Sequence, residues 1–253
     1  MAYGYTVSQI TVPDQEDDIM FFYYYDWTYM LVVVGAVICL AASARVNRVF
    51  ARYSTVRSHS GMTGREAAEQ ILRRNGIYDV QVIHIPGNLT DHYNPGKKTL
   101  GLSDTVYNST SVAAIGVAAH ECGHAVQHAT GYAPLSIRGA LVPVANIGSF
   151  AAWPLIIIGL FLNGQTSVLF INLGILLFSA AVLFQLVTLP VEFNASGRAV
   201  KVLENSGMLY PDEVSSVKKV LGAAALTYVA SAAAMILQLL RLLILTGGRR
   251  RND

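Results

Sequence analysis

Five consecutive residues near the middle of the chain, His120-Glu121-Cys122-Gly123-His124, form an HExxH pattern. In an α-helix, residues four apart lie one turn apart on the same face, so the two imidazoles can bind one ion. Glu121 lies beside that position, where a carboxylate serves as general base toward a water on the metal. Cys122 points about 200° away from His120, so we expect a packed thiol there. The pattern predicts a hydrolytic zinc site.

A catalytic zinc has three protein ligands and one open position. The extended zincin pattern would place Gly at 127 and His at 130, where this chain has Gln127 and Thr130. His128 lies about 6 Å farther along the helix axis than His124, so we interpret it as a neighbour of the site or a surface residue. Glu192 is the better third ligand, because it follows a hydrophobic hairpin that returns the chain to the side it left, and we expect a new helix to begin at this residue. An acid near a helix N-terminus also has an ordinary interpretation as a dipole partner, but its pairing with HExxH favours the ligand.

The stretch HECGHAVQH, a hydrophobic hairpin and the stretch VEFNASGRA together resemble the YugP-type membrane zinc metallopeptidases over nearly the whole chain. The chain is more distantly similar to the HtpX and CAAX-endopeptidase group. The resemblance implies a zinc ion held by His120, His124 and Glu192, with Glu121 as the base. The distant group has an Asp where this chain has Ser196. A serine can hydrogen-bond a ligating histidine but cannot supply the negative charge that would orient and strengthen it.

Other polar residues are weaker candidates. Tyr132 and Arg198 could stabilise an oxyanion. The stretch 91–103 could bind the backbone of a substrate by strand addition. His92, within that stretch, is more simply a solvent-exposed loop residue.

The composition places this chemistry at a membrane. Of 253 residues, 53% are apolar and 13% are charged, against roughly 25% charged in an ordinary soluble domain. The net charge of +2 is too small for a nucleic-acid-binding face. Two cysteines cannot form a disulfide framework. These numbers predict a membrane protein with no nucleic-acid partner.

Four apolar stretches approach the roughly 20 residues that a membrane-spanning helix needs, and the last is the weakest. We therefore predict a mainly α membrane protein with three to four transmembrane helices and a zincin-like α+β metallopeptidase domain. The expected order is an extracytoplasmic segment at 1–26, a transmembrane helix at 27–44, the HExxH-containing catalytic domain at 45–140, a transmembrane hairpin at 141–189, a second catalytic segment with the third ligand at 190–222, and a transmembrane or membrane-associated helix at 223–245.

The arginines and lysines beside the spans predict the orientation. Residues 1–26 contain neither Lys nor Arg, whereas Arg45, Arg48, Arg52 and Arg57 follow the first span. Because basic residues favour the cytoplasmic side, we expect the catalytic domain on the cytoplasmic face of the cell membrane. A complete fourth crossing would place the basic C-terminus outside, which the same rule disfavours. Whether the last helix crosses the membrane completely is therefore left open.

Local patterns predict the elements of the aqueous domain. Thr63 and Glu66 form a capping box at the start of a helix that ends near Asn75-Gly76. Alternating residues at 80–84 predict a strand, and 98–102 predicts a second. Asn108 or Ser109 is expected to cap the HExxH helix, which then runs to about residue 129.

These observations favour a membrane zinc metalloendopeptidase whose partners are the lipid bilayer and a protein or peptide substrate. A non-catalytic zincin-like adaptor or assembly factor is the alternative. A transporter is less favoured, because the clear spans contain no acidic or basic side chains. The sequence leaves open the substrate, the oligomeric state and a first-row metal other than zinc.

Overall fold

The computed structural model describes residues 26–249, which form six α-helices and a three-stranded sheet. The protein is a mainly helical membrane protein with a small α+β domain, as the sequence predicts. Residues 1–25, with the predicted extracytoplasmic segment, lie outside the described residues. The elements are α1 (Tyr29–Ser54), α2 (Gly64–Arg74), β1 (Gln81–His84), β2 (His92–Asn94), β3 (Thr99–Leu102), α3 (Val112–Ala129), α4 (Ala133–Phe161), α5 (Gly164–Ser206) and α6 (Pro211–Arg249).

Four helices, α1, α4, α5 and α6, are long and apolar enough to cross a membrane. Helix α6 lies antiparallel along α1 for most of its length. Arg241 contacts Asp26 at one end, and Val220 packs with Tyr53 at the other. The weak fourth stretch is therefore a full-length helix that ends at the same end of the bundle as residue 26.

The hairpin helices extend beyond the predicted apolar stretches. Helix α4 begins at Ala133, and α5 continues through Pro190 to Ser206. The prediction that a new helix begins near Glu192 is therefore wrong. Proline removes one backbone hydrogen bond, and α5 packs against α3, α4 and α6, which hold it helical across that point.

The aqueous domain starts at α2, where the predicted capping box is present. Thr63 Oγ1 accepts a hydrogen bond from the Glu66 backbone N–H at 3.2 Å, and Glu66 Oε2 accepts one from the Thr63 N–H at 2.8 Å. The sheet order is β1-β3-β2, with β1 parallel and β2 antiparallel to β3. The short edge strand β2 was predicted only as part of the stretch 91–103.

Helix α3 is capped by Ser111, so the prediction of Asn108 or Ser109 is wrong. Ser111 Oγ accepts from the Ala114 N–H at 3.1 Å. The Val112 N–H donates to Val56 O at 2.9 Å, and a β-bridge joins Arg57 to Ser111. These contacts keep the chain extended up to Ser111 and delay the start of the helix.

Helix α3 is the central element of the domain core. Its apolar face packs with buried side chains from α2, β3, α5 and α6, including Leu72, Leu102, Leu203 and Val217. The HExxH residues lie in the second half of α3, where this helix contacts α5.

Candidate metal centre

Three side chains that could ligate a metal converge where α3 meets α5. Glu192 Oε2 lies 3.2 Å from His120 Nε2 and 3.5 Å from His124 Nε2. One ligand atom from each residue lies within 4.8 Å of those of the other two. Glu192 and His124 are buried. The structure therefore brings together the three residues that the sequence singles out as ligands.

A backbone-to-backbone contact between the helices makes this convergence possible. A Cβ atom on Gly123 would lie 2.5 Å from the carbonyl oxygen of Ala195. Glycine is therefore required here if α3 is to approach α5 this closely. His124 follows Gly123, and Glu192 lies one turn before Ala195. The contact point thus fixes the distance between the histidines and the carboxylate.

Two of the three separations between these atoms match the edge of a tetrahedral coordination shell. Zinc bonds of 2.0–2.2 Å to His and Glu place neighbouring tetrahedral ligand atoms about 3.3–3.6 Å apart. The two distances from Glu192 Oε2 agree with this edge length. Glu192 Oε2 is also buried without a hydrogen-bond partner among the described residues. The residues therefore fit a zinc ion.

His124 is oriented by Gln127, which lies one turn farther along α3. Gln127 Oε1 is 3.0 Å from His124 Nδ1. The Gln127 amide nitrogen donates to Val191 O at 2.8 Å and to Asn194 Oδ1 at 3.0 Å. The Gln127 side chain is fully buried. This amide links the second histidine to the turn of α5 that carries Glu192.

His120 is oriented by Ser196. Its Nδ1 lies 3.0 Å from Ser196 Oγ. A hydroxyl donates or accepts equally well, so this contact holds the ring in place with either nitrogen protonated.

The charges around Glu192 are divided between its two oxygens. Arg138 Nη1 lies 3.5 Å from Oε1, whereas Oε2 faces the two imidazoles. Burial lowers the pKa of His124, but its contact with Glu192 and the nearby charge of Glu121 outweigh burial and raise that pKa. The pocket therefore favours a positive charge between the imidazoles and the carboxylate, which a proton or a metal ion supplies.

Glu121 lies beside this group and lines a cavity of about 550 Å³. His124 and Glu192 reach the same cavity. Its walls come from the aqueous domain and from the long helices. The lining includes His92 and Tyr93 of β2 and Tyr132, which lies just before α4. It also includes Arg138 and Val142 of α4 and Tyr228 of α6.

The remaining residues singled out from the sequence lie around the cavity or behind it. His128 is exposed, and its Nδ1 lies 2.9 Å from Tyr93 OH. Tyr132 lines the cavity wall. Arg198 lies over the Tyr132 ring and donates from Nε to Asn194 Oδ1 at 2.8 Å, so it reaches the ligands only through other side chains.

Cys122 is in the core, as its helical position predicts. Its Sγ lies 3.5 Å from Ala68 O. Burial, and to a smaller degree the charge of Glu121, raises the pKa of the thiol well above its ordinary value. This thiol therefore packs on α2 and does not face the metal position.

Three residues of the site escaped the sequence analysis, namely Gln127, Arg138 and Tyr228. Gln127 drew attention only as a departure from the extended zincin pattern. Its position one helical turn beyond His124 was the signal that could have revealed this contact. Arg138 stands just before a hydrophobic stretch, where arginine is typical of a membrane boundary. Tyr228 lies in an apolar helix far along the chain, and no local pattern connects it to HExxH.

Two histidines of α3 and one glutamate of the hydrophobic hairpin thus form a cluster that could hold a zinc ion beside the membrane helices. Residues 28–247 match the family described as "Putative neutral zinc metallopeptidase", and the chain belongs to this family. It is 48% identical over 212 residues to the "Putative membrane protease YugP" of Bacillus subtilis (strain 168), covering 83% of this chain and 93% of that protein. No solved structure matches the chain significantly. The family resemblance read from the sequence is confirmed.

Proposed function

We propose that the protein is a membrane zinc metalloendopeptidase that cleaves membrane or membrane-proximal proteins. The observation that carries this proposal is the convergence of His120, His124 and Glu192 beside Glu121 at the wall of an open cavity. A purely structural zinc site has four protein ligands and no open position. Among the described residues, three side chains form this cluster, which leaves room for a water and a substrate carbonyl.

The roles of the residues follow from their positions. When bound, zinc polarises a scissile carbonyl and lowers the pKa of a water molecule. Glu121 accepts the proton of the attacking water and delivers it to the leaving amine. Gln127 and Ser196 keep the imidazoles oriented. Arg138 and Tyr228 line the same cavity and are placed to donate hydrogen bonds to a developing oxyanion.

The walls of the cavity indicate the class of substrate. One side is the edge strand β2, whose free edge is suited to pairing with an extended peptide. The other side is formed by Val142 and Tyr228, which belong to helices of the membrane bundle. A polypeptide in this cavity would therefore lie beside the bilayer. The basic residues after the first span favour the cytoplasmic face as the side on which this cleavage takes place.

The test is Glu121→Gln in the full-length protein. Zinc content is measured by elemental mass spectrometry. Cleavage is measured with a mixed-sequence library of quenched fluorescent peptides, with the protein in detergent or liposomes. Loss of the base costs the reaction about 10²–10⁴-fold, whereas the ligands remain, so zinc should stay near one per chain. Glu204→Gln is the matched control, because Glu204 pairs with Lys218 on the surface of the domain.

Two results would overturn the proposal. One is cleavage that survives Glu121→Gln, and the other is wild-type protein that binds no stoichiometric zinc. Zinc binding without cleavage of any library peptide or reconstituted membrane protein would favour the non-catalytic adaptor.

A further inference from the structure

A second large cavity lies at the opposite end of the membrane bundle, beside the turn between α4 and α5. Its volume is about 760 Å³. It lies between the C-terminal ends of α4 and α6 and the N-terminal ends of α5 and α1. It shares no lining residue with the metal centre.

The lining combines apolar and polar side chains. The apolar residues come mainly from α4, α5 and α6, and Phe161, beside the turn between α4 and α5, is 85% exposed. Three of the polar residues, Asn163, Gln165 and Ser167, lie at or just after the turn between α4 and α5. The apolar residues include Trp153, Ile156, Leu160, Val168 and Leu242, and the polar ones are Asn163, Gln165, Ser167, Asn172, Arg241 and Thr246, together with Tyr29.

Arg241 is the charged residue that lines this cavity. Its Nη2 donates to Asp26 Oδ2 at 3.0 Å, and its guanidinium lies 4.0 Å from the centre of the Tyr29 ring. The side chain is only 11% exposed. Among the described residues, the Nε atom is buried without a hydrogen-bond partner. Because Nε is covered by protein atoms, Arg241 faces the cavity through the other atoms of its side chain.

We propose that this cavity binds one phospholipid, whose phosphate accepts a hydrogen bond from a terminal guanidinium nitrogen of Arg241 and whose acyl chains pack on the apolar lining residues. A guanidinium is well matched to the oxygens of a phosphate. Because Asp26 already balances the charge of Arg241, the site recognises the phosphate oxygens more than net negative charge. Anionic and zwitterionic phospholipids therefore both bind.

The experiment is a lipid titration of the full-length protein by native mass spectrometry, with phosphatidylglycerol, phosphatidylethanolamine and diacylglycerol as probes. Wild-type protein should retain one phospholipid and bind diacylglycerol at least about tenfold more weakly, since a hydrogen bond to a charged group is lost. The double variant Asp26→Asn with Arg241→Gln keeps the charge balanced and should bind phospholipid about tenfold more weakly. Val168→Trp fills the cavity with the ion pair intact and should also lower retention.

Arg52→Gln is the matched control. Arg52 also lies over a tyrosine ring, that of Tyr53, but at the other end of α1 and in the open. Phospholipid retention should equal that of wild type in this variant. The proposal is overturned if diacylglycerol binds as tightly as phospholipid, or if the double variant retains as much as wild type. It also fails if wild type retains no lipid, or if inorganic phosphate binds as tightly as phospholipid does.

Discussion

Gln127 determines the tautomer of His124, because its own hydrogen bonds can be arranged in only one way. Val191 O is an acceptor, so the Gln127 atom that faces it at 2.8 Å must be the amide nitrogen. The amide oxygen then faces His124 Nδ1. That nitrogen must carry the proton, which leaves the lone pair of Nε2 directed toward Glu192. A ligating histidine needs this tautomer.

Replacing Gln127 with methionine should therefore weaken zinc binding. The side chain keeps its volume but loses the acceptor for His124 and the donor for Val191. We expect zinc affinity to fall by about 10–100-fold, measured by competition with a zinc indicator. Gln81→Met is the control, because Gln81 is exposed at the start of β1. An unchanged affinity in Gln127→Met would show that the tautomer is set by something else.

At the scale of single residues, the sequence predicts those ligand positions that follow from the geometry of one helix. HExxH places two imidazoles on one face regardless of the fold. Glu192 was inferred because the hairpin returns the chain to the same side. Arg138 and Tyr228 were not inferred, because their distance from the site depends on how α4 and α6 pack. The residue pattern within one helix carries no information about that packing.

At the scale of elements, the crossing of α3 and α5 depends on the absence of a side chain at Gly123. A methyl group there would lie 2.5 Å from Ala195 O, so the helices would have to separate. Overpacking of this kind costs about 1–3 kcal/mol. Because the contact lies between His124 and Glu192, the separation would also move the ligands apart.

Gly123→Ala should therefore lower both thermal stability and zinc affinity. We expect at least about a tenfold loss in affinity, since shifts near 1 Å at such sites have effects of this size or more. Gly197→Ala is the matched control, because a methyl group on that helical glycine meets no atom within 4 Å. It should keep the zinc affinity and gain up to about 1 kcal/mol of helix stability. Equal zinc affinity in both variants would contradict the proposed role of the contact.

The capping box of α2 makes a pH-dependent contribution to stability. Hydrogen bonds from the Thr63 N–H and then its hydroxyl lower the pKa of Glu66. A carboxylate with a lowered pKa stabilises the fold above its unfolded value, about 4.3, and this stabilisation is lost as the pH falls through the folded value.

Glu66→Gln should flatten the acid side of the stability curve. Glutamine still accepts the Thr63 hydrogen bond but does not titrate. Thermal unfolding of chelator-treated protein between about pH 6 and pH 3 measures the effect without interference from metal loss. The wild-type midpoint should fall more steeply than that of the variant below about pH 4.5. Parallel curves would exclude the contribution.

At the scale of the whole molecule, the pairing of α1 with α6 bears on whether the last helix crosses the membrane, which composition left open. Hydropathy made the last stretch a weak span, and the three arginines after it argued against a complete crossing. Helix α6 nevertheless packs along α1, where a Cβ on Gly35 would lie 3.1 Å from Ala234 Cα. Close packing of small residues is how membrane helices associate without a hydrophobic driving force. The contact is between residues about 200 positions apart, beyond what any local pattern reveals.

The orientation of this four-helix bundle can be tested with cysteines placed at its two ends. In a background with Cys39→Ala and Cys122→Ala, Thr166→Cys lies at the turn of the hairpin and Lys97→Cys lies in the loop between β2 and β3. Both positions are exposed. The basic residues after the first span predict the catalytic domain inside. A membrane-impermeant maleimide should therefore label Thr166→Cys in intact cells and Lys97→Cys only after permeabilisation. The zinc content of each variant confirms that the fold is retained. The reverse labelling pattern would place the metal centre on the outer face, and the positive charge at residues 249–251 would then prevail over that at 45–57 in setting the topology.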